Sequence, residues 1–188
     1  MIRALLAMVA VILAAGSAPG AELEAGAAKA DITPPTGFPM WGYAARHDKP
    51  SVAVLDPLFA RALVLKAGQA KIALVGLDLG RAPTRDSTQR IRDALKKDGF
   101  TELFLVASHT HHGPVLELDT WPKPEKPYTR ELEEKLVAVI KKADAARVPA
   151  RFGVDSSETT LNRNRQSKRA DKPTDAGNRR ISVVVRRA

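Results

Sequence analysis

The sequence contains no cysteine. Disulfides and thiolate metal sites are therefore excluded. Any transition metal must be held by histidine and carboxylate, with tyrosine as a further candidate ligand. Histidine is itself scarce. There are four, and three of them fall between His109 and His112. Aromatic residues make up only 5% of the chain, so aliphatic side chains must build the core. Internal repeats are lacking, and no segment after the N-terminal one approaches transmembrane length. What remains is ordinary for a globular protein: 188 residues, 44% hydrophobic and 27% charged. That suits one domain or part of one.

The net charge of +9 is unevenly spread. Residues 161–188 carry nine Lys or Arg against two Asp, a balance of +7. The first 160 residues carry 21 against 19, only +2. The high pI belongs mostly to the tail. Arg163, Arg165, Lys168, Arg169 and Lys172 form its main charge run. Such a run is a solvated loop or a contact for an anionic membrane surface, where each cation near the head groups contributes ~1 kcal/mol. No aromatic interleaves these cations, so the stacking part of single-strand recognition is missing and a nucleic-acid partner is not expected.

Residues 1–21 have the anatomy of a secretory signal peptide. Arg3 is the positive start, Ala4–Ala15 is apolar, and Gly16–Ala21 is small except for Pro19. The apolar run is too short to cross ~30 Å of hydrocarbon comfortably. This predicts export, to the periplasm or outside the cell.

Residues 22–160 read as alternating strands and helices. Glu22 to Ile32 leads into the breaker cluster Thr33-Pro34-Pro35-Thr36-Gly37. The apolar loop Phe38–Tyr43 must pack on something, either core or one wall of a cleft. Arg61–Lys66 and Lys71–Leu79 read as two strands of a hairpin turning at Ala67–Ala70. The second is apolar on both faces, which predicts a central strand covered on both sides. Pro83–Lys97 reads as a helix with Ile91, Ala94 and Leu95 on one face, capped by Thr84 or Asp86 and ended by Gly99. Glu102–Ala107 is a further buried strand, which makes a crossover unit with a parallel pair. A second helix runs from Pro127 or Tyr128 to about Ala146, with Thr129 as its expected N-cap and a stripe of Leu132, Leu136, Val139, Ile140 and Ala143. A strand starts at Arg151, residues 156–180 form a long loop, and Ile181–Val185 is a last short strand. The expected fold class is α/β: a mixed, largely buried sheet with flanking helices, an incomplete part of a larger catalytic domain.

The chemistry concentrates in Ser108-His109-Thr110-His111-His112-Gly113-Pro114, directly after a buried strand. Loops leaving the carboxyl ends of central strands are where α/β folds place ligands. On extended backbone, residues i and i+2 face the same side, so His109 and His111 are expected to converge on one metal or one substrate. Neutral imidazole is a good zinc ligand, and zinc with an open position lowers the pKa of bound water to about 7. A neighbouring imidazole can then hydrogen-bond an oxyanion or pass a proton. The plainer alternative is a solvated loop or a chance metal binder. Metallo-β-lactamase-like enzymes also present His-x-His after a strand, but the Asp that continues their pattern is replaced here by the run to Gly113-Pro114. Asp78, at the end of the preceding strand, is placed to orient a histidine or to be a turn carboxylate.

Five segments occur in the order of the neutral/alkaline non-lysosomal ceramidase family: Ala30-Asp31-Ile32-Thr33-Pro34, Met40-x-Gly42-Tyr43, Asp56-Pro57-Leu58-Phe59-Ala60-Arg61-Ala62, Leu77-Asp78-Leu79-Gly80 and His109-Thr110-His111-x-Gly113-Pro114. Together the chain resembles the N-terminal part of that family's catalytic domain. The resemblance implies a secreted zinc amidase that splits the N-acyl bond of ceramide-like lipids. It implies zinc ligation by His109, a substrate-polarising role for His111 and an active-site arginine at Arg163, with Arg165 in an equal-looking copy. Tyr43 and His112 are the further substrate-binding candidates.

The sequence also departs from the family. His112 and Val115 stand where the family has Ser and Gly, which changes the lip of the site. The resemblance further implies a second zinc histidine, a glutamate and a tyrosine from sequence beyond the region matched, and no histidine follows Arg163 here. The chain is therefore expected to be truncated, with 161–188 a basic tail. The alternative is a non-catalytic exported fragment or binding module that keeps the fold without the metal site.

Overall fold

A computed structural model describes residues 22–43, 46, 49–116, 123, 127–158 and 179–187, with 155–158 and 179–187 described by their backbone. Residues 1–21, read above as an export signal, and the Asn-Arg copies at Arg163 and Arg165 lie outside the described residues.

Among the described residues six strands form one mixed sheet: β1 Leu23–Asp31, β2 Phe59–Ala67, β3 Ala70–Leu77, β4 Glu102–Ala107, β5 Val148–Glu158 and β6 Arg179–Arg187. Their order is β4-β3-β2-β1-β5-β6. β2 and β3 make the expected hairpin, with Leu63 opposite Leu74 and Leu65 opposite Ile72. β3 and β4 run parallel, and the connection carries helix α1, Arg85–Leu95. The hydroxyl of Thr84 accepts from the Ser87 amide at 3.3 Å, which caps α1. Gly99, at φ +77°, ends the 3₁₀ turn that follows.

Helix α2 spans Tyr128–Ala145. Leu132, Leu136, Val139, Ile140 and Ala143 are its buried stripe, packed with Ile91 and Leu95 of α1 against Ala60, Ala62, Val64, Ala73, Val75 and Leu77 of the sheet. Each large aliphatic buried there contributes about 1.5–3 kcal/mol. The N-cap differs from expectation. Pro127 occupies it with no side-chain bond, and Thr129 lies inside the first turn, buried and with its hydroxyl unpartnered. Tyr128 supplies the anchor instead. Its hydroxyl donates to the Ile32 carbonyl and its ring meets Phe38 edge-on at 5.2 Å.

Residues 23–31 carry no strand signal of their own, yet β1 pairs with β2 along all of its nine residues. Its small side chains are what this position requires. A Cβ on Gly26 would sit 2.1 Å from the Ala143 carbonyl oxygen, so α2 rests directly on the β1 backbone.

The helices cover one face of the sheet. Among the described residues nothing comparable covers the other. There Phe104 is 47% and Val106 60% exposed, beside the half-buried Leu63, Leu65, Ile72 and Leu74. The two-sided covering expected for β3 is thus absent among the described residues. No described helix is long and apolar enough to cross a membrane.

Candidate functional site

The histidine loop leaves the carboxyl end of β4 beside the end of β3. The Ser108 amide donates to the Leu77 carbonyl at 2.9 Å, and the His109 amide to the Leu79 carbonyl at 3.0 Å. The backbone then turns. His109 has φ +62°, a left-handed conformation that histidine tolerates better than most residues. Such strain persists only where surrounding contacts hold it, and it clusters at functional sites.

That turn changes how the imidazoles meet. Alternation along an extended strand does not bring them together, because His109 is not extended. The left-handed turn and an aromatic wall do. The His109 and His111 rings lie 5.3 Å apart at 64°. Trp41 meets both edge-on, at 4.8 Å from His109 and 5.0 Å from His111. Tyr43 closes on His111 at 4.7 Å. Trp41 is brought there by a short antiparallel contact. Its amide donates to the Gly113 carbonyl at 2.9 Å, the Val115 amide donates to the Pro39 carbonyl at 2.9 Å, and Met40 bridges Pro114.

Two glycines make room for this wall. A Cβ on Gly80 would lie 2.1 Å from the Trp41 ring, and one on Gly42, at φ +117°, 2.5 Å from the His111 ring. The Gly80 carbonyl oxygen also lies 3.1 Å from His109 Nδ1. Accepting from an Nδ1–H there fixes the tautomer and leaves Nε2 as the nitrogen with a free lone pair, the arrangement found for many metal-bound histidines. Arg46 Nη2 donates to the His111 carbonyl, and its guanidinium lies 4.9 Å from the Tyr43 ring centre. Arg81 stands 5.5 Å over Trp41. Trp41, Gly80, Arg46 and Arg81 were not singled out from the sequence as site residues. Only the Leu77–Gly80 and Met40–Tyr43 motifs pointed toward that neighbourhood.

Asp78 is elsewhere engaged. Its carboxylate takes Arg61 at 2.7 and 2.8 Å and the Phe59 amide at 3.0 Å. It ties β2 to β3, and the group that orients His109 is the Gly80 carbonyl. Tyr43 and His112 do not share a wall. Ser108, Thr110 and His112 turn to the opposite side of the loop, where they line a cavity of about 660 Å³ with Met40 and Pro114.

With Nδ1–H held by the Gly80 carbonyl, His109 has a nitrogen with an available lone pair, and His111 stands beside it. Among the described residues, however, no group of three His, Asp or Glu side chains is placed to hold a metal ion. Catalytic zinc takes three protein ligands and an open position.

No protein-family model matches the sequence, and no curated protein matches it. Solved structures do. A neutral ceramidase from Pseudomonas aeruginosa is 24% identical, with a TM-score of 0.61 over 73% of this chain and 24% of that one. A ceramidase complexed with C2 is 23% identical, with a TM-score of 0.61 over 74% of this chain and 24% of that one. The chain thus spans about a quarter of the length of these structures, and what it shares with them at this identity is the fold of a ceramidase fragment.

Proposed function

We propose that this chain carries one part of the site of a zinc-dependent amide hydrolase resembling neutral ceramidase, acting on the N-acyl bond of ceramide-like lipids. The observation that carries the reading is the His109–His111 pair, held 5.3 Å apart at a strand end by Trp41, in a fold shared with ceramidases. His109 offers Nε2 to the metal, and the remaining ligands come from outside the described residues. Zinc would supply Lewis-acid chemistry at the amide carbonyl. His111, braced by Tyr43 and Arg46, is placed to hydrogen-bond the carbonyl oxygen as negative charge develops on it. Trp41 packs edge-on against both imidazoles and so limits how far either ring can turn. Export through the 1–21 signal and contact of the basic tail with anionic lipid belong to the same proposal.

The lack of a third ligand among the described residues favours a second reading, a non-catalytic exported binding module. Fatty-acid release from a ceramide-like N-acyl amide, with zinc added, separates the two. The first reading expects zinc-dependent release that His109→Ala abolishes. Neither release nor zinc retention by the purified chain, with His109→Ala changing nothing, leaves the second.

A further inference from the structure

The cavity behind the histidine loop is a separate site. Neither His109 nor His111 lines it, and neither Trp41 nor Tyr43 does. Its volume of about 660 Å³ falls in the range of small-molecule pockets, roughly 300–1,000 Å³. Phe38, Met40, Val54 and Leu58 are among its apolar lining, and Thr110 and His112 among its polar lining. The two-sidedness follows from the loop itself. Residues 109 and 111 face the aromatic wall, and 108, 110 and 112 face the cavity.

The lining selects a ligand class. Among the described residues Phe38 is the single Phe, Tyr or Trp in the lining, and it is 1% exposed, committed to Tyr128. The His112 imidazole is then the one other ring, too little to sandwich a base or a flat aromatic ligand. The other apolar walls are aliphatic side chains and prolines. Val54, in the loop that forms one wall, is 50% exposed, an apolar surface that a chain lying in the cavity would cover. Of the polar lining, the Thr110 hydroxyl and His112 imidazole can both donate and accept. Asp56 and Asp78 also line the cavity and, among the described residues, no lysine or arginine does, so an anionic head group finds no counter-charge there.

We propose that this cavity binds a single alkyl chain bearing an uncharged hydrogen-bonding head, the chain lying against Met40, Val54 and Leu58 and the head meeting Thr110 and His112. This site does not depend on metal, so its failure is distinguishable from failure of the zinc reading.

Titration of the 188-residue chain with 1-decanol, in the presence of a chelator and followed by saturation-transfer NMR, tests it. Val54→Asp puts a charge on the wall at a half-exposed position that folding does not need. Val52→Asp, at a 92% exposed position in the same loop that does not line the cavity, is the control. The expected result is saturable binding, weakened at least about tenfold by Val54→Asp and changed less than about twofold by Val52→Asp, with decanoate binding more weakly than decanol. Non-saturable uptake, indifference to Val54→Asp, or decanoate binding as tightly as decanol would each overturn the proposal.

Discussion

Gly80 serves His109 through its carbonyl oxygen, 3.1 Å from Nδ1, and serves Trp41 through the side chain it lacks. One backbone position thus aims an imidazole and seats the ring that packs against it. A methyl group there cannot coexist with Trp41 in place. Gly80→Ala is expected to cost about 1–3 kcal/mol, as overpacking does, and to loosen both imidazoles. Urea unfolding gives the first number. Loss of the dispersed histidine ring signals in NMR reports the second. A variant with native stability and unchanged ring signals would show that the Trp41 wall does not hold the pair.

A buried polar cluster lies away from the site, between the helices. Glu133 of α2 is 8% exposed and accepts from Arg90 at 2.9–3.2 Å, from Arg130 at 2.6 Å and from the Ser87 hydroxyl. Burial opposes its charge, but the Arg90 and Ser87 hydrogen bonds and the two guanidinium charges outweigh that and hold the carboxyl below its ordinary value. The folded state therefore takes up this proton less readily than the unfolded state. The stabilisation is fully present above the ordinary carboxylate pKa of about 4.3 and is lost as pH falls through the lowered folded value. Glu133→Gln is expected to cost about 1–3 kcal/mol at pH 7, and the gap from wild type should close in acid. Denaturant melts at pH 7 and pH 3 check this. An equal gap at both pH values would contradict it.

The uncovered sheet face should govern behaviour in solution. Phe104 and Val106 are exposed beside Leu63, Leu74 and Ile72, a contiguous apolar surface of the kind that drives association. Val106→Glu is expected to reduce concentration-dependent association, seen by light scattering, while changing stability by less than about 0.5 kcal/mol. A marked loss of stability would mean that Val106 is packed in solution.

The hairpin, the crossover and the α2 stripe were legible because their signals are local. Leu63-Val64-Leu65 and Ile72 to Leu77 carry strand character in their own composition, and Leu132, Leu136, Val139, Ile140 and Ala143 recur at helical spacing. β1 was not legible, because Ala and Gly give no strand signal. Its residues are small because α2 lies on it, a constraint set 117 residues away at Ala143 for Gly26. The histidine loop could be picked out as chemistry, but its geometry could not. His109 is turned left-handed, its partner at Gly80 is 29 residues away, and Arg46 reaches His111 across 65. Asp78 had the right type and position for an orienting carboxylate. Arg61, its cross-strand neighbour, claims it.

The central proposal is that His109 takes the cation with His111 beside it, and that His112 takes no part. Zinc titration of the ¹⁵N-histidine-labelled chain, with each imidazole assigned by substitution, addresses it most directly. The account predicts that the ring signals of His109 and His111 move along one binding curve while those of His112 stay in place, and that His109→Ala removes the response of His111. A response led by His112, or no response from either His109 or His111 at millimolar zinc, would contradict it.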